Sequence, residues 1–296
     1  MKSSRITLLA TLGLLLSSLM WGASFYQMKD AMAFISPLPF VAVRMGAAAL
    51  LLAIIALYFK KNLLKNLKAG LILGSILSIV MISQTAGLKY TTASNSGFIT
   101  GMFIVFIPVF SYLFYKRKFS FIKIIAVVVN ISGLWMLTGG LSRLNNGDIL
   151  TIITAIASGL HIVYISEVTK EEGIDLLVLC FHQLFVTSVV AFIVSLCFGL
   201  PFNLGSNGNI VRLGYIILFP TVGSFLIQLN TQKFLSTVRA ALIITTEPVF
   251  AAVFAWTLGG EKVVPIAMLG GLVMVAGMVL SEVKTSKESK YSEKSG

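Results

Sequence analysis

Charge is scarce in this sequence, and acidic charge is scarcest. Only 11% of the 296 residues are charged, and aspartate and glutamate number 11 against 23 lysines and arginines. Soluble domains carry about 25% charged residues, so this shortage excludes an ordinary water-soluble fold. A hydrophobic share of 57% and a mean hydropathy of +0.93 indicate instead a chain that lies largely in a lipid bilayer.

Cysteine and histidine are nearly absent, with two of each. Cys180 and Cys197 lie about five helical turns apart in one apolar stretch, so they cannot pair with each other. His161 and His182 have no third ligand beside them, and neither cysteine has metal-ligand spacing. No glycine follows a predicted strand in a phosphate-binding loop. The sequence therefore predicts neither a cofactor nor a metal site.

Apolar stretches of about 20 residues follow one another along the chain, each long enough to cross a hydrocarbon layer of roughly 30 Å. We predict an all-α integral membrane protein with ten transmembrane helices. The first stretch, behind Lys2 and Arg5, could be a signal peptide, but its apolar run is long for one and nine more follow. The predicted helices are residues 6–28, 38–59, 69–88, 94–115, 121–141, 149–168, 176–198, 210–229, 238–258 and 264–283.

The pattern of the first half recurs about 144 residues later. Residues 1–141 are predicted to form a first repeat of five helices, and residues 147–283 a second. Because five crossings are an odd number, the second repeat begins on the opposite side of the membrane and is inverted. Inverted repeats can exchange conformations around one midplane site, which gives alternating access. The counterparts at this spacing are Gln84 and Gln228, Lys89 and Lys233, Tyr90 and Phe234, Ile99 and Ile243, and Gly133 and Gly277.

Lysine and arginine are unevenly distributed between the two sides of the membrane. If the amino terminus is cytoplasmic, most of them fall in cytoplasmic connections or at the span ends beside these. Both termini are therefore predicted to be cytoplasmic. The formal charge of +12 then meets anionic lipid headgroups rather than nucleic acid. Residues 284–296, rich in serine, lysine and glutamate, are predicted to form a disordered tail.

Glu247 is the sharpest single candidate for a functional residue, since it is an acid deep within a span. A charged carboxylate there is costly unless it is paired or becomes protonated. Pro248 lacks an N–H and frees the carbonyl of Ile244, which favours a kink where polar backbone faces a cavity. Pro108 is its counterpart in the first half, at a spacing of 140. Glu247 could exchange a proton or bind a cationic substrate group, or could be a fixed hydrogen-bonding partner near the kink.

Other polar residues inside the spans are further candidates for a substrate site. Arg44 could pair with Glu247 or with a substrate carboxylate, or could extend to the outer headgroups. Gln84 and Gln228 should approach the pseudo-two-fold axis from opposite sides, where they could orient a polar substrate or join helices. Asn95 is similar but lies nearer the surface.

The remaining candidates lie on the repeat-related first and sixth helices. His161 corresponds roughly to Ser24 and lies on a face of small residues, where it could serve the site or simply pack, as could His182 on the seventh helix. Trp21 and Tyr164 lie in the middle of their spans. Their rings would suit a flat or apolar side chain, or a delocalised cation.

Two other classes of membrane protein lack their required features in this sequence. An enzyme would need a nucleophile with its base, a metal cluster or paired catalytic carboxylates, and none is visible. A channel would need a continuous polar lining or rings of like charge, whereas this chain has isolated polar groups. We therefore expect no catalytic residues and a carrier rather than a pore.

Four motifs carry a family resemblance. They are GLKYTTASNSGFITG at 87–101 with VFIPV at 105–109, RAALIITTEPVFAAVFAW at 239–256 with GGE at 259–261, WGAS at 21–24, and Arg44. Through these motifs the chain resembles bacterial proteins of the EamA type in the drug/metabolite transporter (DMT) superfamily, over almost its whole length. The resemblance implies a ten-helix carrier of two EamA repeats. It implies no particular substrate.

The sequence thus predicts a secondary transporter that moves a small organic metabolite by alternating access. Export of an amino acid or related compound is the leading expectation, and family analogy rather than physics favours export. Uptake of a metabolite and expulsion of drugs or toxic cations are the alternatives. Because no nucleotide-binding motif is present, a solute or ion gradient would supply the energy, with protons acting through Glu247 as the first candidate. The sequence leaves the oligomeric state open.

Overall fold

The structure is a computed structural model that describes residues 2–116, 121–138, 145–203, 207–263 and 265–281. Within these ranges every regular element is helical, and Ile217–Gly223 forms a π-helical segment. The predicted disordered tail, residues 284–296, lies outside the described residues. The helices are α1 (Lys2–Ala31), α2 (Pro37–Tyr58), α3 (Leu67–Tyr90), α4 (Ala93–Gly101), α5 (Phe103–Tyr115), α6 (Phe121–Thr138), α7 (Asn146–Val168), α8 (Leu176–Cys197), α9 (Asn207–Ile216), α10 (Ser224–Gln232), α11 (Thr237–Ile244), α12 (Glu247–Thr257) and α13 (Pro265–Ser281).

These helices make ten crossings, which confirms the predicted all-α membrane fold. Eight crossings are long and apolar enough to span a membrane by length and composition. The other two, α6 and α13, hold shorter apolar helices at Ile124–Met136 and Pro265–Gly277 within the described residues. Three spans are divided: the fourth into α4 and α5, the eighth into α9, the π-helical segment and α10, and the ninth into α11 and α12.

The two repeats pack against each other through helix pairs that each join one half to the other. α2 packs on α8, α3 on α7, and α6 on α13. Glycine permits the closest approaches, since a Cβ on Gly133 would lie 2.6 Å from the carbonyl oxygen of Gly270. Gly22 of α1 lies equally close to α12, where a Cβ would be 2.8 Å from the carbonyl oxygen of Glu247. A larger residue at either crossing would force the helices apart.

The divided fourth and ninth spans meet at their interruptions. They break at Met102 and Thr246, positions related by the same spacing as the repeat. A Cβ on Gly101 would lie 2.7 Å from Pro248 Cγ, so the two broken spans are in direct contact. Pro108, predicted as a kink, lies beyond its break, and α5 continues through it. One missing N–H is tolerated inside a membrane helix when neighbouring groups compensate. The helix can therefore continue through Pro108, and the break in the fourth span lies before this proline.

The connection between α2 and α3 is tied to the start of α8. Lys61 Nζ lies 2.8 Å from Asp175 Oδ2, and the backbone N–H of Asp175 donates to Asn66 Oδ1 at 3.0 Å. His182 Nε2 lies 2.6 Å from the carbonyl oxygen of Leu63. His182 is therefore engaged with this connection rather than with the centre of the bundle.

Candidate functional site

A cavity of about 70 Å³ lies between the two repeats, next to the breaks in the fourth and ninth spans. Its walls come from spans one to four, six, eight and nine, so both halves contribute. Most of the residues predicted for a substrate site line it, although their roles toward a substrate stay predictions. These residues are Trp21, Ser24, Arg44, Gln84, His161, Gln228 and Glu247.

Tyr164 and Asn95 were the predicted site residues that the structure separates from this cavity. Tyr164 is partly buried and packs against an apolar cluster that includes Leu179 and Leu184 of α8. Asn95 lies in the first turn of α4, where its backbone N–H donates to Thr92 Oγ1 at 3.0 Å.

Glu247 is the first residue of α12 and lies directly after the break in the ninth span. The hydroxyls of Thr245 and Thr246 donate back to carbonyls of α11 at 2.7 Å, and Pro248 has no N–H to offer. The side chain of Glu247 is 8% exposed and lines the cavity. Within the described residues its carboxyl has no hydrogen-bond or ion-pair partner. The positive end of the α12 dipole is the nearest compensation for a negative charge there.

Arg44 lies about two turns into α2 and is 2% exposed. Its Nε donates to Thr221 Oγ1 at 2.7 Å, and its Nη1 lies 3.1 Å from Met28 Sδ. These contacts hold the guanidinium inside the bundle, so Arg44 does not extend to the headgroups, one of its predicted alternatives. The predicted pairing with Glu247 is not formed either, although both residues line the cavity.

The π-helical segment of the eighth span supplies the groups that hold two of the lining residues. Thr221 lies in this segment and accepts the bond from Arg44. The carbonyl oxygen of Pro220 accepts a bond from the indole Nε1–H of Trp21 at 2.8 Å. Neither Thr221 nor Pro220 was predicted from the sequence, although a proline followed by a hydroxyl inside an apolar span is a signal of freed backbone groups.

His161 reaches the cavity from α7 and is 4% exposed. Its Nε2 lies 3.1 Å from Gln183 Oε1, and Gln183 Nε2 in turn points to Cys180 Sγ at 3.8 Å. The imidazole also meets the ring of Phe225 edge-on, with centroids 6.5 Å apart. His161 is thus anchored by α8 while one side of it faces the cavity.

The two repeat-related glutamines both reach the cavity, as the repeat predicts. Gln84 Nε2 donates a long bond of 3.4 Å to Thr100 Oγ1. Gln228 is 2% exposed, and its buried Oε1 has no partner among the described residues. A buried amide oxygen without a donor is costly, so Gln228 offers an acceptor to whatever enters the cavity.

Aromatic rings form the apolar part of the wall. Trp21 and Phe225 meet edge-on with centroids 5.5 Å apart, and Phe25 and Phe103 also line the cavity. Because Trp21 is bonded to Pro220, its ring is held in one orientation. The cavity therefore combines a donor-only guanidinium, a carboxyl, an amide acceptor and an aromatic surface. Pockets that bind small polar solutes with an apolar portion combine groups of these kinds.

Known proteins share this architecture. A protein of Archaeoglobus fulgidus described as an uncharacterized transporter is 30% identical over 277 residues, which cover 94% of this chain and 87% of that protein. The uncharacterized transporter YdfC of Bacillus subtilis is 22% identical, over 92% of this chain and 90% of its own length. A solved crystal structure superimposes with a TM-score of 0.75 at 13% identity and covers 92% of this chain and 96% of that one. At such an identity the likeness shows the fold alone.

The profile of one family matches the sequence twice. The matched segments are residues 8–139 and 145–282, one in each half, and the profile is that of the EamA-like transporter family. Two matches of five spans each account for the ten crossings and for the two-sided cavity. The chain is therefore a multi-pass membrane protein that belongs to the EamA-like transporter family.

Proposed function

We propose that this protein is a secondary transporter that moves amino acids or closely related metabolites through the central cavity by alternating access. One observation carries this proposal. Arg44 and Glu247, buried side chains of opposite charge, line the same cavity without pairing with each other. The site thus has an anion-binding group and a cation-binding group, and neither is neutralised by the protein.

The charge pattern supports a zwitterionic solute. A buried charge without a partner carries a desolvation penalty of several kcal/mol. An amino acid supplies both missing partners at once, with its carboxylate for Arg44 and its ammonium for Glu247. The unpartnered Oε1 of Gln228 is a neutral acceptor for a further ammonium N–H. A simple cation would leave Arg44 unpaired, and this disfavours the toxic-cation alternative.

The aromatic wall supports a substrate with an apolar or flat side chain. Trp21, Phe103 and Phe225 border the cavity beside the charged groups. If a ligand buried these rings, each Å² of apolar surface removed from water would contribute about 25 cal/mol to the free energy of binding. Within the amino acids, we therefore expect apolar and aromatic side chains to bind more tightly than charged ones.

The mechanism follows from the inverted repeats. Each half can adopt the conformation that its counterpart leaves, so the cavity opens alternately to either side. The lysine and arginine distribution supports cytoplasmic termini in a bacterial inner membrane, and export is the proposed direction. Uptake by the same site is the runner-up. Glu247 is the carboxyl of the cavity and is the proposed carrier of a coupling proton.

The test uses the purified full chain. We expect L-amino acids, in particular L-leucine and L-phenylalanine, to raise its melting temperature and to support counterflow in proteoliposomes, because a ligand that binds the native state stabilises it. Arg44→Gln should abolish both effects. Arg212→Gln is the matched control, since Arg212 pairs with Asp30 outside the cavity at 3.1 Å.

Two results would contradict the proposal. If decarboxylated amines stabilise the protein as well as the amino acids do, the substrate is a cation and the zwitterion assignment is wrong. If the Arg44 variant binds amino acids with unchanged affinity, Arg44 is a packing residue.

A further inference from the structure

We propose that the π-helical segment Ile217–Gly223 is a positioning device for the substrate-binding cation of the cavity, with Thr221 as the positioning residue. Thr221 would decide selectivity for carboxylate-bearing substrates without contacting the substrate itself. This inference rests on the proposed function, in which Arg44 binds the carboxylate.

The hydroxyl of Thr221 is held as a hydrogen-bond acceptor. Threonine has one hydroxyl proton, and here that proton goes to the carbonyl oxygen of Ile216 at 2.8 Å, five residues back along the chain. Several other buried threonines bond four residues back along their helices instead, as Thr151 does with Gly147 and Thr187 with Gln183. The lone pairs of Thr221 Oγ1 are therefore left for the Nε–H of Arg44, which lies 2.7 Å away.

This bond determines how the guanidinium is oriented. The group is planar with five N–H donors in a fixed fork, so an acceptor at Nε sets the plane for all of them. Nη1 is engaged only by Met28 Sδ, and a thioether is a weak acceptor. The remaining N–H groups of Arg44 have no acceptor in the described part of the chain. They are not among the fully buried polar atoms that lack a partner, and Arg44 lines the cavity, so these N–H groups are accessible from it. An anionic group of a ligand in the cavity would supply their acceptor.

The same segment also fixes the aromatic wall. The carbonyl oxygen of Pro220 accepts the Trp21 indole N–H, so one turn of the eighth span orients side chains from the first and second spans. π-helical turns widen a helix and occur often at functional sites. The geometry belongs to the second half alone among the described residues, since the corresponding part of α3 is continuous and has Leu77 at the position of Thr221.

The test compares binding of L-phenylalanine with binding of L-phenylalanine amide, which keeps the ammonium and replaces the carboxylate with a neutral group. We expect the wild-type chain to prefer the acid. Thr221→Val keeps the branched shape and removes the acceptor, and should reduce that preference by about tenfold, the loss typical of one hydrogen bond to a charged group. Its affinity for the amide should be unchanged. Thr221→Ser keeps the hydroxyl and should retain the wild-type preference.

Two further variants separate the outcomes. In an Arg44→Gln background, Thr221→Val should change the preference no further, because the effect acts through Arg44. Thr221→Ala is measured beside Thr221→Val, so that poor folding of one variant does not decide the result. If folded Thr221→Val or Thr221→Ala keeps the wild-type preference while Arg44→Gln loses it, the positioning role is wrong and the proposed function stands. If the wild-type chain does not prefer the acid, the proposed function fails and this inference fails with it.

Discussion

Arg44 of the second span and Glu247 of the ninth line the same cavity from opposite repeats, and no ion pair joins them. Each has a different local support. Arg44 is bonded to a threonine and a methionine, whereas Glu247 begins a helix after a break. A direct ion pair between them would neutralise both charges, and the cavity would have no unpaired charge to bind a ligand. Their separation leaves both available to a solute.

Replacing Glu247 with glutamine should uncouple transport from the proton gradient. The variant keeps the shape of the side chain but cannot take up and release a proton. We expect proton-driven accumulation in proteoliposomes to fall to the level set by the substrate gradient alone. Counterflow exchange should continue at lower affinity, because the amide oxygen of glutamine still accepts from the substrate ammonium but carries no charge. Glu171→Gln, at an exposed position, is the matched control. Normal accumulation by the Glu247 variant would remove this residue from the coupling mechanism.

Replacing Gln84 and Gln228 together with leucine should weaken substrate binding without lowering the yield of folded protein. Gln84 makes one long hydrogen bond, and Gln228 has an unpartnered oxygen, so the fold gains little from either amide. We expect a loss of about 1 kcal/mol, or roughly fivefold in affinity, for each bond to substrate.

Gln232→Leu is the control in which an amide supports the fold rather than the substrate. The amide N–H groups of Gln232 donate to the carbonyl of Ile162 at 2.8 Å and to Ser166 Oγ at 2.7 Å. That variant should lower the melting temperature and leave affinity nearly unchanged. Unchanged affinity in the double variant would assign Gln84 and Gln228 to helix packing.

Gly22→Ala should destabilise the protein by about 1 to 3 kcal/mol, the usual cost of overpacking. The added Cβ would meet backbone atoms of Ala251 and Glu247 at 2.8 Å, and backbone moves only if α12 shifts. Gly214→Ala is the control, since nothing lies within 4 Å of its Cβ position in α9, and alanine favours a helix by up to about 1 kcal/mol. Melting curves in detergent check both. A Gly22→Ala melting temperature equal to that of the wild type would show that α1 and α12 can move apart without loss of stability.

Asp175 should stabilise the protein in a pH-dependent way. Burial raises the pKa of its carboxyl, but the hydrogen bond and charge of Lys61 and the N–H groups of Val178 and Leu177 outweigh burial, so the pKa lies below its usual value. A carboxyl with a lowered pKa stabilises the fold above its unfolded pKa of about 3.9, and loses that contribution as the pH falls through the folded pKa.

Asp175→Asn should therefore lower stability at neutral pH by under about 1 kcal/mol, because the Lys61 side chain is 45% exposed and solvent weakens the ion pair. The difference from wild type should shrink as the pH approaches and passes below 3.9, about the ordinary aspartate value. Melting temperatures across this range check it, with Lys61→Gln as the partner variant. A difference that stays constant with pH would exclude titration of Asp175 as its source.

Much of the fold could be predicted from the sequence because membrane helices are specified by composition. Ten apolar stretches and a repeat at one spacing predict ten crossings in two halves, and the crossings are observed. Bounds agree within a few residues, except where one stretch became several helices. The π-helical segment was not predicted, since the residues around Pro220 are as apolar as those of the neighbouring spans. The break in the fourth span at Met102 was not predicted either, because no proline marks it, and the kink at Pro108 stays a prediction.

The candidate site was predicted less completely, and the differences between the predicted residues and the cavity lining have one origin. Periodicity tells which residues share a helix face, but not which face meets which neighbour. Tyr164 is three residues beyond His161 on α7, yet it packs on an apolar cluster while His161 reaches the cavity. Thr221 was overlooked because its importance depends on Arg44, which is distant in sequence and adjacent in space.

Composition and internal repetition alone were sufficient to assign this chain to the membrane and to count its crossings. They also identified Glu247 as an unusual buried acid. The reason is that the free energy of placing apolar or charged groups in lipid depends on the residues themselves. The partners of the buried charged side chains could not be predicted from composition and repetition. Whether Arg44 meets a carboxylate, a headgroup or a threonine depends on how α2 packs against the eighth span. The packing of the two repeats placed Thr221 beside Arg44 and left Glu247 unpaired, since hydrogen bonds depend on distances between helices that no single helix contains.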